Sequence, residues 1–237
     1  MKFPSPLKRG VLIKRYKRFL CDVRLDSGNS ITATCPNTGS MRGLCEPGTP
    51  VWLSLSDSPT RKYKHTWELV EDDAGRGAGL VGINTHHPNK IVSEAIEQGR
   101  IKPLKGYASQ KREQKYGASS RIDILLEDEA KGRAYVEIKN VHLMRKPGLA
   151  EFPDSVTARG TKHLNELVNM IDQGHRAVMV YLIQRGDATR FTLCGDIDPV
   201  YAQAFHTARS RGVEAFAYRC AISMDGITLS RAIPIKF

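Results

Sequence analysis

The chain is poor in every feature that marks a membrane, secreted or cysteine-built protein. Its five cysteines, Cys21, Cys35, Cys45, Cys194 and Cys220, form no Cys-x-x-Cys pair. An odd count at wide spacing argues against a zinc ribbon and a disulfide framework, and implies a reducing, cytoplasmic setting. The longest apolar run, Ala177 to Ile183, is far shorter than the roughly 20 residues a membrane-spanning helix needs. The opening Met-Lys-Phe-Pro-Ser-Pro-Leu-Lys-Arg carries charge and no apolar core, so neither a secretory signal nor a membrane partner is expected. Internal repeats and low-complexity tracts are absent. Acidic residues are scarce: 25 Asp/Glu stand against 36 Lys/Arg, a net charge of +11 over 237 residues. Such an excess points to a polyanion, nucleic acid ahead of an anionic membrane, although a merely basic surface would give the same count. The excess is not a tail. Residues 1–80 hold 13 Lys/Arg against 8 Asp/Glu, and the remainder 23 against 17.

The chain is long enough for two small domains, and its pattern changes partway. Gly10 to Ile13, Phe19 to Leu25, Ser30 to Cys35, Val51 to Leu55 and His65 to Val70 read as short strands. They are separated by turn formers such as Asp26-Ser27-Gly28-Asn29. Five short strands predict a small all-β barrel, OB-like, over residues 1–82. Trp52 and Trp67, among aliphatic neighbours, read as core of that barrel. The stretch Asp72 to Gly79 is a linker or a hairpin turn. From residue 83 to 237 helix and strand alternate. A helix follows Asn89, which could cap it, and ends at Gly99. A second starts at Asp154-Ser155 and runs to about Met170, and a third spans Pro199 to Arg211. Arg176 to Gln184 and Val213 to Cys220 read as strands. Helix, hairpin, helix, strand, helix, strand predicts an α/β domain with a mixed sheet flanked by helices.

The hairpin within that domain, Ser119 to Val141, carries the chemistry. Alternation puts Ile122, Ile124 and Leu126 on one face of the first strand and Arg121, Asp123 and Leu125 on the other. In the second strand Tyr135, Glu137, Lys139 and Val141 share a face. A turn centred near Ala130 pairs residues whose numbers sum to 260, which sets Asp123 opposite Glu137. Opposed side chains have Cβ atoms about 4.5–5.5 Å apart. Two carboxylates that close repel, so one takes a proton or a cation sits between them. Asp123, Glu137 and the peptide oxygen of Ile138 could supply part of the octahedral oxygen shell of Mg²⁺ or Mn²⁺, with water and a phosphate oxygen completing it. Lys139 could then act as a catalytic lysine, positioning water or balancing charge on the phosphate. The alternative is a surface ion-pair network of Arg121, Asp123, Glu137 and Lys139.

Asp123…Glu137-Ile138-Lys139, placed between a helix bearing Glu94 and one bearing Lys162-His163, resembles the PD-(D/E)xK nuclease superfamily. The resemblance implies Asp123 and Glu137 as metal carboxylates, Lys139 as the catalytic lysine and Glu94 as an accessory acidic ligand. Ile122 stands where the superfamily motif has proline. Four further motifs widen the likeness: Arg15-Tyr16-Lys17-Arg18-Phe19-Leu20, Cys35-Pro36-Asn37-Thr38-Gly39-Ser40-Met41, Arg61 to Leu69 and Phe152 to Leu164. Together they cover essentially the whole chain, which resembles the sugar fermentation stimulation protein (SfsA) family. That resemblance implies an N-terminal OB-like domain, a nuclease-like C-terminal domain, nonspecific DNA binding and a part in regulating maltose metabolism.

The basic motifs add a candidate footprint for phosphates. Arg15, Lys17 and Arg18 interleave with Tyr16 and Phe19, a pattern that suits either phosphate contacts with base stacking or a barrel core with solvated cations. Arg61, Lys62 and Lys64 fall in a loop at the barrel rim. Arg159, Lys162 and His163 lie near the start of the second helix, where backbone N–H groups favour an anion. His163 is a phosphate contact, a proton donor to the leaving group or a structural histidine. His142 could lie near the metal, and His86-His87 read as structural. Two functions remain open: an Mg²⁺- or Mn²⁺-dependent nuclease, and a DNA-binding regulator with an idle nuclease fold. RNA is a further candidate ligand, and a homodimer is compatible with duplex cutting.

Overall fold

The computed structural model describes residues 1–73, 79–117 and 120–236. Residues 74–78 of the expected linker, and Ser119 at the head of the expected hairpin, lie outside them. The first sheet is built from β1 (Lys8–Tyr16), β2 (Leu20–Leu25), β3 (Ser30–Thr34), β4 (Pro50–Leu55), β5 (His65–Asp72) and β6 (Gly79–Gly82), in the order β3-β2-β1-β4-β5-β6. A parallel bridge between Thr34 and Thr66 joins β3 to β5 and closes five strands into the OB barrel. Its core holds Leu12, Val23, Ala33, Leu53 and Trp67, with Trp52 also buried. Gly79–Gly82 is thus a sixth strand, paired with β5, where the sequence suggested only a boundary. It reaches across to the second domain: the Gly82 amide donates to Gln184 O, and Val81 bridges Arg185.

The second domain begins with α1 (Pro88–Glu97) and a short 3₁₀ turn, followed by β7 (Ser109–Tyr116), β8 (Ser120–Asp128), β9 (Gly132–Val141), β10 (Leu143–Lys146) and β11 (Leu149–Phe152). Then come α2 (Ala158–Asp172), β12 (Arg176–Ile183), β13 (Arg190–Leu193), α3 (Pro199–Ser210), β14 (Glu214–Ile222), β15 (Ile227–Ile233) and β16 (Ile235–Lys236). The central sheet runs β15-β14-β12-β9-β8-β7. Strands β9, β12 and β14 are parallel, and the outer pairings antiparallel. A small sheet, β10-β11-β13-β16, stands beside it.

Alternation along the strands builds two cores. Val178, Val180 and Leu182 face α1 through Ile91, Val92, Ala95 and Ile96. Met179, Tyr181 and Ile183 face α2 and α3 through Leu164, Leu167, Tyr201 and Phe205. The two helical layers therefore lie on opposite faces of the sheet. β7 is one of the two edge strands, and its Lys111, Arg112 and Lys115 are exposed, charges that protect an unpaired edge. That composition is why the segment did not read as a strand.

Two helix starts differ from expectation. Pro88 occupies the first turn of α1, so the capping position falls on His87 and Asn89 lies inside the helix. The second helix is capped by Thr157, whose Oγ1 accepts from the Gly160 amide at 3.0 Å. Asp154 is not available as a cap because its carboxylate is engaged by the barrel: Ser40 Oγ donates to it at 2.7 Å and the Met41 amide at 3.2 Å. Arg185, fully buried, adds a second tie between the domains through Asp72 at 2.7 Å, with Asp187 also 2.7 Å away. The Phe3 amide donates to Asp225 O, so the first residues of the chain lie on the second domain. Among the described residues no helix is long and apolar enough to cross a membrane.

Candidate metal and nucleic-acid site

The β8–β9 ladder pairs Ile124 with Val136 and Leu126 with Ala134, the register in which residue numbers sum to 260. The ladder ends there, one step short of Asp123 and Glu137. On the other side of β8 the pairing skips the step between Ile124 and Ile122, where Glu113 adopts φ +54°. The expected alternation slips at this point: Ile122 joins the core under α2, whereas Ile124 and Leu126 belong to the core under α1. Asp123 therefore sits where two ladders part, free of the strict in–out alternation of a regular strand.

Each carboxylate is pinned from a different layer. Asp123 Oδ1 accepts from Asn89 Nδ2 of α1 at 2.9 Å, and its Oδ2 accepts from the Ile138 amide at 2.7 Å. Burial, and then the charge of Glu137, push the Asp123 carboxyl up to about 6. Glu137 is only 2% exposed. Its Oε1 accepts from Lys139 Nζ at 2.7 Å and from His163 Nδ1 of α2. Burial raises this carboxyl, but Lys139 and His163 outweigh it and hold Glu137 below its ordinary value. Arg159 Nε donates to His163 Nε2 at 3.3 Å, which leaves the imidazole proton on Nδ1, facing Glu137. Glu137 Oε2 is buried and has no hydrogen-bond partner among the described residues. A buried carboxylate oxygen left unpaired costs more than a neutral group, so its retention asks for a partner from outside the chain.

The structure thus brings Asp123, Glu137, Lys139, His163 and Arg159 together, with Lys162 exposed on the same helix, its Nζ 3.8 Å from Glu166 Oε1. Glu94 is not among them. Its carboxylate lies 2.7 Å from the Met1 amine. Five residues separate Glu94 from Asn89, about 140° around a helix, so the two cannot serve one site. Ile138 approaches Asp123 through its N–H, not through the oxygen expected as a ligand. His142 is buried against Asp154, with 3.5 Å between Nε2 and Oδ2. Asn89, which the sequence offered as the cap of the first helix, is the site residue that reading missed. The proline before it was the available signal, since it moves the cap back to His87 and frees the Asn89 side chain.

On the barrel, Arg15 and Arg18 do more than face solvent. Arg15 donates to the carbonyls of Arg18, Asn37 and Gly39, and Arg18 Nε to Thr38 O at 2.8 Å, so both brace the Asn37–Ser40 loop. Arg61 donates to the hydroxyls of Thr34 and Thr66. Lys64 is drawn to Ser58 O, Lys62 lies over Tyr63, and Lys17 is exposed. Tyr16 donates to Asp22 at 3.0 Å, whereas Phe19 is 51% exposed. His87 donates to buried Glu68, a structural role.

An OB barrel fused to a helix-flanked mixed sheet, with two carboxylates and a lysine gathered where the hairpin opens, defines a two-domain protein. The chain belongs to the sugar fermentation stimulation protein family. Residues 13–83 match the SfsA N-terminal OB domain, and residues 86–226 the sugar fermentation stimulation protein RE domain. Sugar fermentation stimulation protein homologs from Brucella ovis and Brucella melitensis are each 58% identical over 236 residues, covering 100% of this chain and 98% of theirs. The solved structure of Pyrococcus furiosus SfsA in complex with Ca²⁺ has a TM-score of 0.88 and 26% identity, covering 100% of this chain and 98% of that one.

Proposed function

We propose that the protein binds DNA nonspecifically and hydrolyses phosphodiester bonds with a divalent cation held by Asp123 and Glu137. The observation that carries this reading is the buried, unpartnered Glu137 Oε2, beside a second carboxylate whose ionisation Glu137 itself opposes. The donor set is hard oxygen, which fits Mg²⁺ or Mn²⁺. Among the described residues no group of three or more His, Cys, Asp or Glu side chains is arranged for a metal, and Mg²⁺ commonly uses only one or two carboxylates with water and substrate phosphate. The Pyrococcus furiosus relative is in complex with Ca²⁺, which supports a divalent cation as the ligand. Such a cation, when bound, polarises a phosphate oxygen and acidifies an attacking water.

The remaining work falls to the chain. Asn89 and the Ile138 amide hold the Asp123 carboxylate from the α1 side. His163 and Lys139 occupy Glu137 Oε1, which turns Oε2 toward the ligand. The Lys139 ammonium is then placed to donate to the attacking water or to an oxygen gaining charge on phosphorus. His163, occupied by Glu137 on one nitrogen and Arg159 on the other, serves as a positioning residue and not as a proton donor to the leaving group. Arg159 and Lys162 extend the cationic surface along α2, and Lys17, Lys62 and Arg61 do so on the barrel, where they meet phosphates as counterions are released. In this division of labour, residues 1–82 hold the polymer and residues 83–237 carry the chemistry.

The test is incubation with single-stranded, duplex and branched DNA and with RNA, in Mg²⁺, Mn²⁺ or chelator. Cleavage that needs the cation supports the reading. Retained DNA binding without cleavage of any substrate would leave a DNA-binding regulator.

A further inference from the structure

Phe19 is an anomaly on the barrel. It is a large aromatic, half exposed, at the tip of the turn joining β1 and β2, yet the backbone beneath it is hydrogen-bonded into the barrel. Its carbonyl accepts from the Cys35 amide at 2.8 Å, and the neighbouring Arg18 is fixed at both its carbonyl and its guanidinium by Arg15 and Thr38. The turn needs this bracing because Lys17 and Arg18 both adopt the left-handed conformation, at φ +49° and +66°. The ring is thus presented on a turn tied back to the barrel by hydrogen bonds.

The ring opens onto a groove of about 590 Å³, whose walls include Pro36, Arg61, Thr85 and His86. A second groove, about 670 Å³, is lined by Thr85, His86, Asn89, Arg112 and Glu113. The two share Thr85 and His86, so they adjoin there, and taken together they run along one line. It starts at Phe19 and ends at Asn89, the residue whose amide holds Asp123. Arg61 and Arg112 give the path positive charge. Both are without a carboxylate within ion-pair distance among the described residues. Two carboxylates also face it: Glu68 is consumed by Ser54, Asn84 and His87, and Glu113 accepts from Asn89.

We infer that this path is a track for single-stranded nucleic acid, with Phe19 as the platform on which an unpaired base stacks before the strand reaches Asp123 and Glu137. An aromatic face, phosphate-binding arginines and a groove between them suit a single strand, whose bases are free to leave their neighbours. A duplex keeps both faces of each base in its own stack and offers Phe19 no partner. The inference rests on the nuclease reading for its endpoint and names the substrate as single-stranded or carrying a single-stranded end.

The test measures binding of the full-length protein to a fluorescein-labelled 20-nucleotide oligo-dT and to a blunt duplex, by anisotropy in chelator, so that no cleavage intervenes. Phe19→Ala is expected to weaken oligo-dT binding roughly tenfold and to leave duplex binding within about twofold. Phe19→Trp should keep wild-type affinity, with its indole fluorescence quenched on binding. Unchanged oligo-dT affinity in Phe19→Ala, or equal losses on both ligands, overturns the track. The same samples are then given Mg²⁺: selective loss of single-strand binding with no cleavage by the wild type keeps the platform and removes the nuclease reading, whereas cleavage with no Phe19 effect does the reverse.

Discussion

Replacing Asp123 with asparagine is expected to stabilise the protein at pH 8 in chelator, although it removes a proposed metal ligand. Burial and the neighbouring Glu137 raise the Asp123 carboxyl from 3.8 to about 6. A raised carboxyl means the folded state binds its proton more tightly than the unfolded state does. Stability attributable to this group is therefore greatest below pH 4, falls as pH rises through 4 to 6, and stays at its low value above that. The rise corresponds to about 3 kcal/mol. Asparagine keeps an acceptor for the Ile138 N–H and removes the charge, and the Asn89 amide can turn its oxygen toward the new amino group. A gain of about 1–3 kcal/mol at pH 8 follows, or roughly 3–10 °C in apparent Tm for a chain of this size. The assay is thermal unfolding of wild type and variant at pH 8 and pH 4.5, in chelator and with Ca²⁺ or Mg²⁺. The gap should shrink at pH 4.5, and the cation should raise the Tm of wild type more than that of the variant. A variant less stable than wild type at pH 8, by the same margin as at pH 4.5, would refute the idea that Asp123 is held charged against its surroundings.

Other consequences concern the ties between domains and the polymer footprint. Asp154 has the opposite sign from Asp123: burial raises it, but His142, Ser40 and the Met41 amide hold its carboxyl well below the ordinary range. Its contribution is fully present above about pH 4 and is lost only as the pH falls well below the ordinary carboxylate range, so Asp154→Ala should cost about 2–4 kcal/mol in urea unfolding at pH 7 and only somewhat less at pH 3. Arg185→Met should lower stability by about 3–5 kcal/mol, because it strands the Asp72 and Asp187 carboxylates, a loss that calorimetry would register. Lys62→Ala combined with Lys162→Ala should shallow the dependence of log affinity for DNA on log salt by about 1–2, and an unchanged slope would remove both from the footprint.

What the sequence made legible depended on local rules. The hairpin register followed from the position of its turn, and the barrel strands from alternation between turn formers. Helix phase was not local: Glu94 and Asn89 share one short helix, and which of them meets Asp123 is decided by how Ile91, Val92, Ala95 and Ile96 seat against the sheet. Arg15 and Arg18 read as phosphate contacts or solvated cations because their partners are loop carbonyls some twenty residues away, which no pattern of side chains reveals. The small sheet escaped notice because its strands are four residues or fewer and, apart from the β10–β11 hairpin, pair across long separations. His163 stood out as polar on a helix face, but only packing of α2 on the sheet shows that it meets Glu137 and not a phosphate.

The account stands most directly on Glu137. Single-turnover cleavage of a labelled DNA strand in Mg²⁺ or Mn²⁺, by wild type and by Glu137→Gln and Lys139→Ala, tests it. Activity in the wild type, with a loss of at least about 100-fold in both variants while DNA affinity in chelator holds, is the predicted result. Cleavage that persists in both variants would contradict it.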